Sequence, residues 1–181
     1  MLRITTGTAK DKRLKIPEIE GFRGVQEIAK MSLFSILGEG IVGSVCLDLF
    51  AGSGNLGLEA LSRGASWCDF VDEEPLSIRA IEENIHNCGF LEMSGVFRKN
   101  AIKFIETCEN KYDFIFLDPF YEDTAQKHLF KTIGNILKVG GKIFYFHKSG
   151  IEVGEMMENG VLKITDTRKF GDSTFEVVVK A

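Results

Sequence analysis

The stretch VCLDLFAGSGNLG at residues 45–57 constrains the fold of this chain more than any other. An apolar run of strand-forming residues ends at Phe50, and the residues after the glycines begin a helix that Gly64 can stop. The pattern predicts a strand, a tight turn and a helix. Gly52 and Gly54 allow positive φ, and the start of a helix leaves N–H groups unpaired, so this turn is predicted to bind a polar ligand.

Asp48 limits the class of ligand that this turn is expected to bind. The pattern Gly52-x-Gly54-x-x-Gly57 alone is shared by dinucleotide-binding turns and by turns that bind nothing. A carboxylate inside an apolar strand needs partners, so Asp48 is expected at the open carboxyl end of the strand. There it suits a cationic or amine-bearing ligand better than a pyrophosphate, which it would repel.

Strands and helices alternate along most of the chain, which predicts an α/β fold with an open, mostly parallel sheet and helices on both faces. Strands are predicted at residues 2–6, 13–16, 45–50, 67–72, 95–99, 112–117, 142–147, 162–170 and 174–180. Helices are predicted at residues 26–37, 56–63, 75–87, 101–108 and 124–137. The first two strands predict an N-terminal β-hairpin, and the last two an antiparallel edge hairpin. The apolar face of the first helix is expected to include Ile28, Met31, Leu33, Phe34 and Leu37.

Length and composition favour one globular domain over residues 1–181, with a hairpin and helix at 1–40 and the α/β core at 41–181. No signal peptide is visible, and no apolar run approaches the roughly 20 residues needed to cross a bilayer. The cysteines have no C-x-x-C spacing, and there are only three histidines. We therefore expect reduced thiols, no metal site and a cytoplasmic location. The cysteines are Cys46, Cys68, Cys88 and Cys108.

The charge distribution leaves two interpretations open. The net charge of −4 argues mildly against binding to nucleic acid, but the first sixteen residues are basic, with Asp11 as their single acid. A local basic patch can bind phosphates even on an acidic protein. The same charges could equally belong to a solvated hairpin edge that resists aggregation. The basic residues are Arg3, Lys10, Lys12, Arg13 and Lys15.

Polar residues at the strand ends are the candidates for a site, because ligands of open α/β sheets bind outside the carboxyl ends of the strands. Asp72 follows Gly52 by 20 residues, the spacing at which an acid accepts the hydroxyls of a ribose. Asn100 ends the next strand and could hydrogen-bond an adenine, although asparagine is also common in turns.

The sequence Asp118-Pro119-Phe120-Tyr121 follows a strongly apolar strand. Asp118 and the carbonyl of Pro119 can accept both protons of an exocyclic amine, and an aromatic ring can stack on the base that carries it. A plain strand-to-helix turn with core aromatics is the alternative. Both interpretations place a carboxylate at the carboxyl end of this strand.

Together the two motifs resemble a known family. LDLFAGSGNLGLEALSRGA at residues 47–65 is similar to the cofactor motif of the RsmD-type 16S ribosomal RNA guanine-N2 methyltransferases. The likeness covers nearly the whole chain, including the N-terminal hairpin, the segment from Phe22-Arg23 to Leu33-Phe34, Val71-Asp72-Glu73-Glu74 and the segment 168–173. It implies a seven-stranded Rossmann-like fold, S-adenosyl-L-methionine as cofactor, and 16S rRNA or a small-subunit assembly particle as partner. A monomer is expected, although no sequence feature indicates the oligomeric state.

The resemblance also implies roles for individual residues. Asp48 and the turn at residues 50–54, here called the glycine turn, would hold the methionine end of the cofactor. Asp72 would hold the ribose, and Asn100 with Ala101 the adenine. The expected cofactor-binding residues are Asp48, Phe50, Ala51, Gly52, Ser53, Gly54, Asp72, Glu73, Asn100 and Ala101. The expected catalytic residues are Asp118, Pro119 and Tyr121, and the expected substrate-binding residues are Arg3, Lys10, Lys12, Arg13, Arg23 and Phe120.

Two departures from the family pattern fall among the residues expected to contact the nucleic-acid target, not among those expected to bind the cofactor. Phe120 stands where the family has a second proline, and Gly24-Val25 stands where the family usually has Pro-Thr. Three alternatives therefore stay open: a methyltransferase for another nucleic-acid amine such as adenine N6, a degenerate protein that binds cofactor or RNA without catalysis, and an NAD-dependent oxidoreductase. Asp48 beside the phosphate position argues against the last of these.

Overall fold

The structure is a computed structural model that describes residues 2–119, 125–157 and 160–181. Its centre is a seven-stranded sheet with strand order β3-β2-β1-β4-β5-β7-β6. The strands are β1 (Val45–Leu49), β2 (Trp67–Asp72), β3 (Ser94–Arg98), β4 (Tyr112–Leu117), β5 (Leu137–Lys148), β6 (Leu162–Phe170) and β7 (Ser173–Lys180). The helices are α1 (Glu27–Leu37), α2 (Asn55–Ser62), α3 (Pro75–Cys88), α4 (Ala101–Thr107) and α5 (Ala125–Thr132).

The sheet is parallel from β3 to β5 and antiparallel at one edge. Strands β1 to β5 pair in parallel, and β7 runs antiparallel between β5 and β6. The hairpin of β6 and β7 closes through Gly171 and Asp172, with Phe170 opposite Ser173. This arrangement confirms the predicted Rossmann-like sheet with an antiparallel C-terminal hairpin.

Helices bury apolar residues on both faces of the sheet. One face packs against α1, α2 and α3, with side chains such as Phe34, Leu58 and Ile81. The other packs against α4, α5 and the 3-10 helix Val153–Met157, with Phe104 and Phe130 in its core. Among the helices described, none is both long and apolar enough to cross a membrane.

Two element boundaries near β5 differ from the prediction. Strand β5 begins at Leu137, not at residue 142, because Leu137 already pairs with Tyr112. Gly140, with φ of 77°, lies inside the strand, and the pairing with β4 is irregular there. Helix α5 ends earlier than predicted, at Thr132, and continues as the 3-10 helix Ile133–Ile136.

The predicted N-terminal hairpin is present, but its strand pairing is reduced to one antiparallel bridge between Arg3 and Arg13. Ile4 N–H still donates across the hairpin to the carbonyl of Lys12 at 2.9 Å, but the next two donors of the first arm are used elsewhere. The N–H groups of Thr5 and Thr6 both donate to the carboxylate of Glu59, at 2.8 and 3.1 Å. These hydrogen bonds to Glu59 attach the first arm to α2, and the strand pairing of the hairpin does not continue past Ile4.

The orientation of α1 differs from the prediction at two residues, and a lysine takes a buried position that was not predicted. Ile28 and Met31, expected on the buried face, are 62% and 53% exposed, whereas Lys30 is 1% exposed. The Lys30 ammonium donates to the carbonyl of Arg3 at 2.6 Å and to Oδ1 of Asn55 at 2.8 Å, and it lies 3.0 Å from the Glu59 carboxylate. These partners make burial of the charge tolerable and set the rotation of the helix.

Candidate active site

A pocket of about 240 Å³ opens at the carboxyl ends of β1, β2 and β4. This is the edge at which open α/β sheets bind ligands. The pocket is lined by Ile19, Phe22, Arg23, Gly24, Val25, Asp48, Phe50, Ala51, Gly52, Ser53, Asn55, Leu56, Val71, Asp72, Glu73, Glu74, Ser77, Ala101, Ile102, Asp118, Pro119 and Leu129. Most of the predicted cofactor-binding residues therefore meet in one cavity.

The turn after β1 has the backbone that the glycines predict. Gly52 and Gly54 have φ of 56° and 75°, in the left-handed region. Phe50 also has positive φ, 58°, which is uncommon outside glycine and marks a constrained position at the pocket wall. The turn is held by a hydrogen bond from Ala51 N–H to the carbonyl of Val71 on the neighbouring strand, at 3.1 Å.

Asp48 lies buried beneath this turn, at the penultimate position of β1. Its Oδ2 accepts a hydrogen bond from the N–H of Gly57 at 2.8 Å, which ties the strand to the first turn of α2. Burial raises the pKa of the Asp48 carboxyl well above its usual value, and the nearby Asp118 and Asp72 add to this shift. The strand end therefore carries a carboxylate that a cationic ligand would favour.

Gly57 is required for close packing of this turn on β2. A Cβ at this position would lie 2.4 Å from Cε1 of Phe70 and 2.7 Å from Sγ of Cys68, both in the core. We expect Gly57→Ala to lower the free energy of unfolding by about 1–3 kcal/mol, measured by urea denaturation. The control is Gly154→Ala, where an added Cβ meets no atom within 4 Å. Equal stability of the two variants would contradict this account.

Asp72 ends β2 and braces the glycine turn from the other side. One carboxylate oxygen accepts the N–H of Gly52 at 2.8 Å, and the other accepts the N–H of Glu74 at 2.9 Å. Burial raises its pKa, and these two hydrogen bonds oppose the shift. Each oxygen retains a lone pair, so the carboxylate can still accept hydroxyl groups from a ligand.

Of the two residues predicted beside the adenine, Ala101 lines the pocket and Asn100 does not. Ala101 and the neighbouring Ile102 line the pocket. The side chain of Asn100 caps α4, because its Oδ1 accepts the N–H groups of Ile102 and Lys103 at 3.1 and 3.4 Å. Its Nδ2 donates to the Glu73 carboxylate at 3.2 Å. Asn100 therefore stabilises the start of α4, and the first two residues of that helix form part of the pocket wall.

Asp118 and Pro119 enter the pocket from β4, next to the glycine turn. The register pairs Leu49 with Leu117, so Phe50 and Asp118 leave adjacent strands at the same level. Desolvation by burial raises the pKa of Asp118 to about 7. Phe120 and Tyr121, predicted to form the base platform, lie outside the described residues.

The donor set of the pocket fits a cofactor with a sulfonium or ammonium charge and a ribose. Five carboxylates line it, against Arg23 as the single cation among the described lining residues. Ser53, 1% exposed, has a hydroxyl without a hydrogen-bond partner in the described part of the chain. No group of three or more histidine, cysteine or acidic residues within the described ranges could hold a metal ion. The carboxylates are Asp48, Asp72, Glu73, Glu74 and Asp118.

Among the predicted substrate-binding residues that the structure describes, Arg23 is the one that lines the pocket. Arg23 lies exposed at its rim. Arg3 is already paired, with Glu27 at 3.0 Å and with Asp11 at 3.5 Å. The remaining three, Lys10, Lys12 and Arg13, are exposed on the N-terminal hairpin.

Several lining residues were not predicted as part of the site. Ile19, Phe22 and Val25 form a wall contributed by the segment before α1, while Glu74 and Ser77 come from the start of α3. A signal existed for Glu74, which follows the predicted ribose acid in sequence. No local pattern indicates that the segment before α1 returns to the glycine turn.

Comparison with known proteins places these features in a wider group. Residues 2–179 match the family described as Conserved hypothetical protein 95. The Bacillus subtilis protein YlbH is 32% identical over 171 residues, which cover 92% of this chain and 93% of YlbH. The Escherichia coli protein named Ribosomal RNA small subunit methyltransferase D is 31% identical over 163 residues, covering 88% of this chain and 77% of that protein.

Solved structures share the fold at lower sequence identity. The Escherichia coli protein yhhF superposes with a TM-score of 0.86 and 21% identity, covering 99% of this chain and 97% of its own. The structure of SMU.776 complexed with SAH has a TM-score of 0.70 and 15% identity, covering 82% of this chain and 48% of its own. These likenesses concern the fold alone.

Proposed function

Since this chain belongs to the family described as Conserved hypothetical protein 95, we propose that it is an S-adenosyl-L-methionine-dependent methyltransferase that methylates the exocyclic N2 amine of a guanine in 16S rRNA. The family resemblance predicted from the sequence is confirmed, because relatives at about 31% identity carry the name Ribosomal RNA small subunit methyltransferase D. The proposal adds the cofactor, the target atom and the residues that act on them.

The observation that carries the proposal is the convergence of two strand ends in one pocket. The glycine turn with Asp48 and Asp72 comes from β1 and β2, and Asp118 with Pro119 comes from β4. The first group suits a cationic, ribose-bearing cofactor, and the second suits an amine. A methyltransferase for a nucleic-acid amine needs both functions side by side.

The residues of this chain divide the work of cofactor binding. The turn at residues 50–54 and Asp48 would hold the methionine end, Asp72 the ribose hydroxyls, and Ala101 with Ile102 the wall beside the adenine. When bound, S-adenosyl-L-methionine supplies an electrophilic methyl group on a sulfonium. The five acidic side chains that line the pocket would stabilise its positive charge electrostatically.

Asp118 and Pro119 would hold the target amine. The Asp118 carboxylate and the Pro119 carbonyl accept its two N–H groups, which aims the nitrogen lone pair at the methyl group. A pKa raised to about 7 lets Asp118 also receive the proton that the amine releases. Phe120 and Tyr121 remain the predicted stacking platform for a base turned out of the RNA.

The exposed cations of the N-terminal hairpin and Arg23 would contact RNA phosphates. Lys10, Lys12 and Arg13 carry no ion pair among the described residues, so their charges are available to a polyanion. We propose that the protein acts as a monomer in the cytoplasm on 16S rRNA or an assembling small subunit.

The test combines cofactor binding with product identification. We expect calorimetry to show binding of S-adenosyl-L-methionine and none of NADH. Labelled methyl should then appear at guanine N2 of 16S RNA, or of small-subunit particles from cells that lack their own enzyme. The matched control is particles from cells that retain that enzyme, whose target is already modified.

Each alternative has its own outcome in this test. Label at adenine N6 would identify another amine target. Cofactor binding without transfer to any RNA would identify a non-catalytic binding protein. NADH binding in place of S-adenosyl-L-methionine would identify an oxidoreductase and reject the proposal.

A further inference from the structure

The segment of residues 19–25, here called the strap, forms part of the pocket wall just before α1 begins. It contributes five lining residues, Ile19, Phe22, Arg23, Gly24 and Val25. Its own backbone is held by few hydrogen bonds, of which Phe22 N–H to the carbonyl of Ile19 at 3.1 Å is one. The shape of the strap therefore depends on what it packs against.

Phe22 is the strap residue that reaches the glycine turn. A Cβ on Gly52 would lie 2.7 Å from Cε2 and 3.1 Å from Cζ of the Phe22 ring, so the ring packs directly on the Gly52 backbone. Gly52 is itself fixed, because its N–H donates to Asp72 at 2.8 Å. The ring consequently stands beside the part of the turn that would hold the methionine end of a cofactor.

Buried polar side chains anchor the chain on both sides of the strap. Upstream, Asn84 of α3 bonds the backbone N–H and carbonyl of Lys15, at 2.7 and 2.9 Å, and also donates to the carbonyl of Ser53 at 2.9 Å. Downstream, Lys30 bonds Asn55 at 2.8 Å. Both anchors reach the glycine turn or the start of its helix, so the strap is built into the pocket.

We propose that Phe22 is a further cofactor-binding residue, whose ring forms the wall over the methionine end and excludes water from it. This inference rests on the proposed function, because the ligand is S-adenosyl-L-methionine or its product. An aromatic side chain suits this position because it covers a large apolar area with little loss of conformational freedom. Water exclusion strengthens the interaction of the charged ligand groups with Asp48.

The test compares two ligands that differ only at the methionine end. S-adenosylhomocysteine carries the amino-acid portion, and 5′-methylthioadenosine lacks it. We expect Phe22→Ala to weaken S-adenosylhomocysteine binding about tenfold by calorimetry, with 5′-methylthioadenosine unchanged. Phe22→Leu, which retains apolar bulk, should restore most of the affinity. The matched control is Phe97→Ala on the edge strand β3, which is 40% exposed, packs against Phe104 and is not among the residues that line the pocket.

The outcomes separate this inference from the proposed function. If the wild-type protein binds neither ligand, the proposed function fails, and the inference fails with it. If the wild-type protein binds S-adenosylhomocysteine and Phe22→Ala binds it equally well, only the inference is overturned. An equal loss for both ligands would indicate a general structural role and would also overturn it. Should Phe22→Ala not fold, the smaller truncation Phe22→Val, which also removes the ring that covers Gly52, decides: unchanged S-adenosylhomocysteine affinity in this variant rejects the inference.

Discussion

Asp118→Ala is expected to lower methyl transfer to RNA by about 100- to 10,000-fold while S-adenosylhomocysteine still binds. Asp118 lies where β4 meets the pocket, and its carboxylate is the described side chain that would hold the target amine. Single-turnover transfer of labelled methyl measures the rate, and calorimetry measures binding. Asp172→Ala in the exposed hairpin turn is the matched control. Near-normal transfer by the Asp118 variant would remove Asp118 from the mechanism.

The pH dependence of transfer gives a second readout of the same residue. The ionised carboxylate is the form that accepts both the hydrogen bond and the proton, so the rate should rise with pH and level off above about 7. The residual rate of Asp118→Ala should lack this step. Stability changes in the opposite sense: the folded chain retains this proton to higher pH than the unfolded chain, so the contribution of Asp118 to stability falls as pH rises from the usual carboxyl range to about 7.

Glu59→Ala is expected to lower the free energy of unfolding by about 3–5 kcal/mol, the largest stability effect that the structure indicates. Glu59 is fully buried in α2 and accepts from Thr5, Thr6, Lys30 and Arg63. Its removal leaves the Lys30 ammonium buried without its carboxylate partner. Urea denaturation near neutral pH measures the loss.

A surface ion pair provides the matched control. Glu83 lies 2.6 Å from the Lys15 ammonium, closer than the 3.0 Å between Glu59 and Lys30, but both side chains are about half exposed. Glu83→Ala should leave stability nearly unchanged, because solvent screens this pair. A double variant, Lys30→Met with Glu59→Leu, should recover part of the loss by replacing the pair with apolar contacts. Similar losses in Glu59→Ala and Glu83→Ala would contradict the burial argument.

The stability supplied by Glu59 also has a predictable pH dependence. Burial raises its pKa, but Lys30 and the hydrogen bonds from Thr5 and Arg63 outweigh burial, so the net shift is downward. A lowered pKa means that the stabilising contribution is present near neutral pH and is lost as pH falls through the carboxyl range. Glu59→Ala should therefore be less sensitive to acid than the wild-type protein.

The turn after β1 could be predicted to within one residue at each boundary because its information is local. An apolar run, glycines at fixed spacing and the start of a helix determine the backbone of residues 45–64 with little help from the rest of the chain. The same holds for the hairpin of β6 and β7, which closes at Gly171 and Asp172, one residue shorter than the predicted turn at 171–173. Strand ends could be assigned to one edge of the sheet because parallel topology follows from strand–helix alternation.

The wall formed by the strap could not be predicted, because it depends on contacts distant in sequence. Lys30 in an amphipathic helix is ordinarily solvated, and only Glu59 and Asn55 make its burial favourable. Once Lys30 faces inward, Ile28 and Met31 are turned outward, against the usual hydrophobic pattern. The packing of Phe22 on Gly52 also joins residues distant in sequence, and no periodicity in the sequence indicates it.

The position of β7 inside the sheet affects how the protein is made. Because β7 pairs with both β5 and β6, β6 has no strand partner until the ribosome has released residues 173–180. During that interval a nine-residue extended segment is exposed to pairing with other nascent chains. Its charged side chains act as gatekeepers against such aggregation. These side chains are Lys163, Asp166, Arg168 and Lys169.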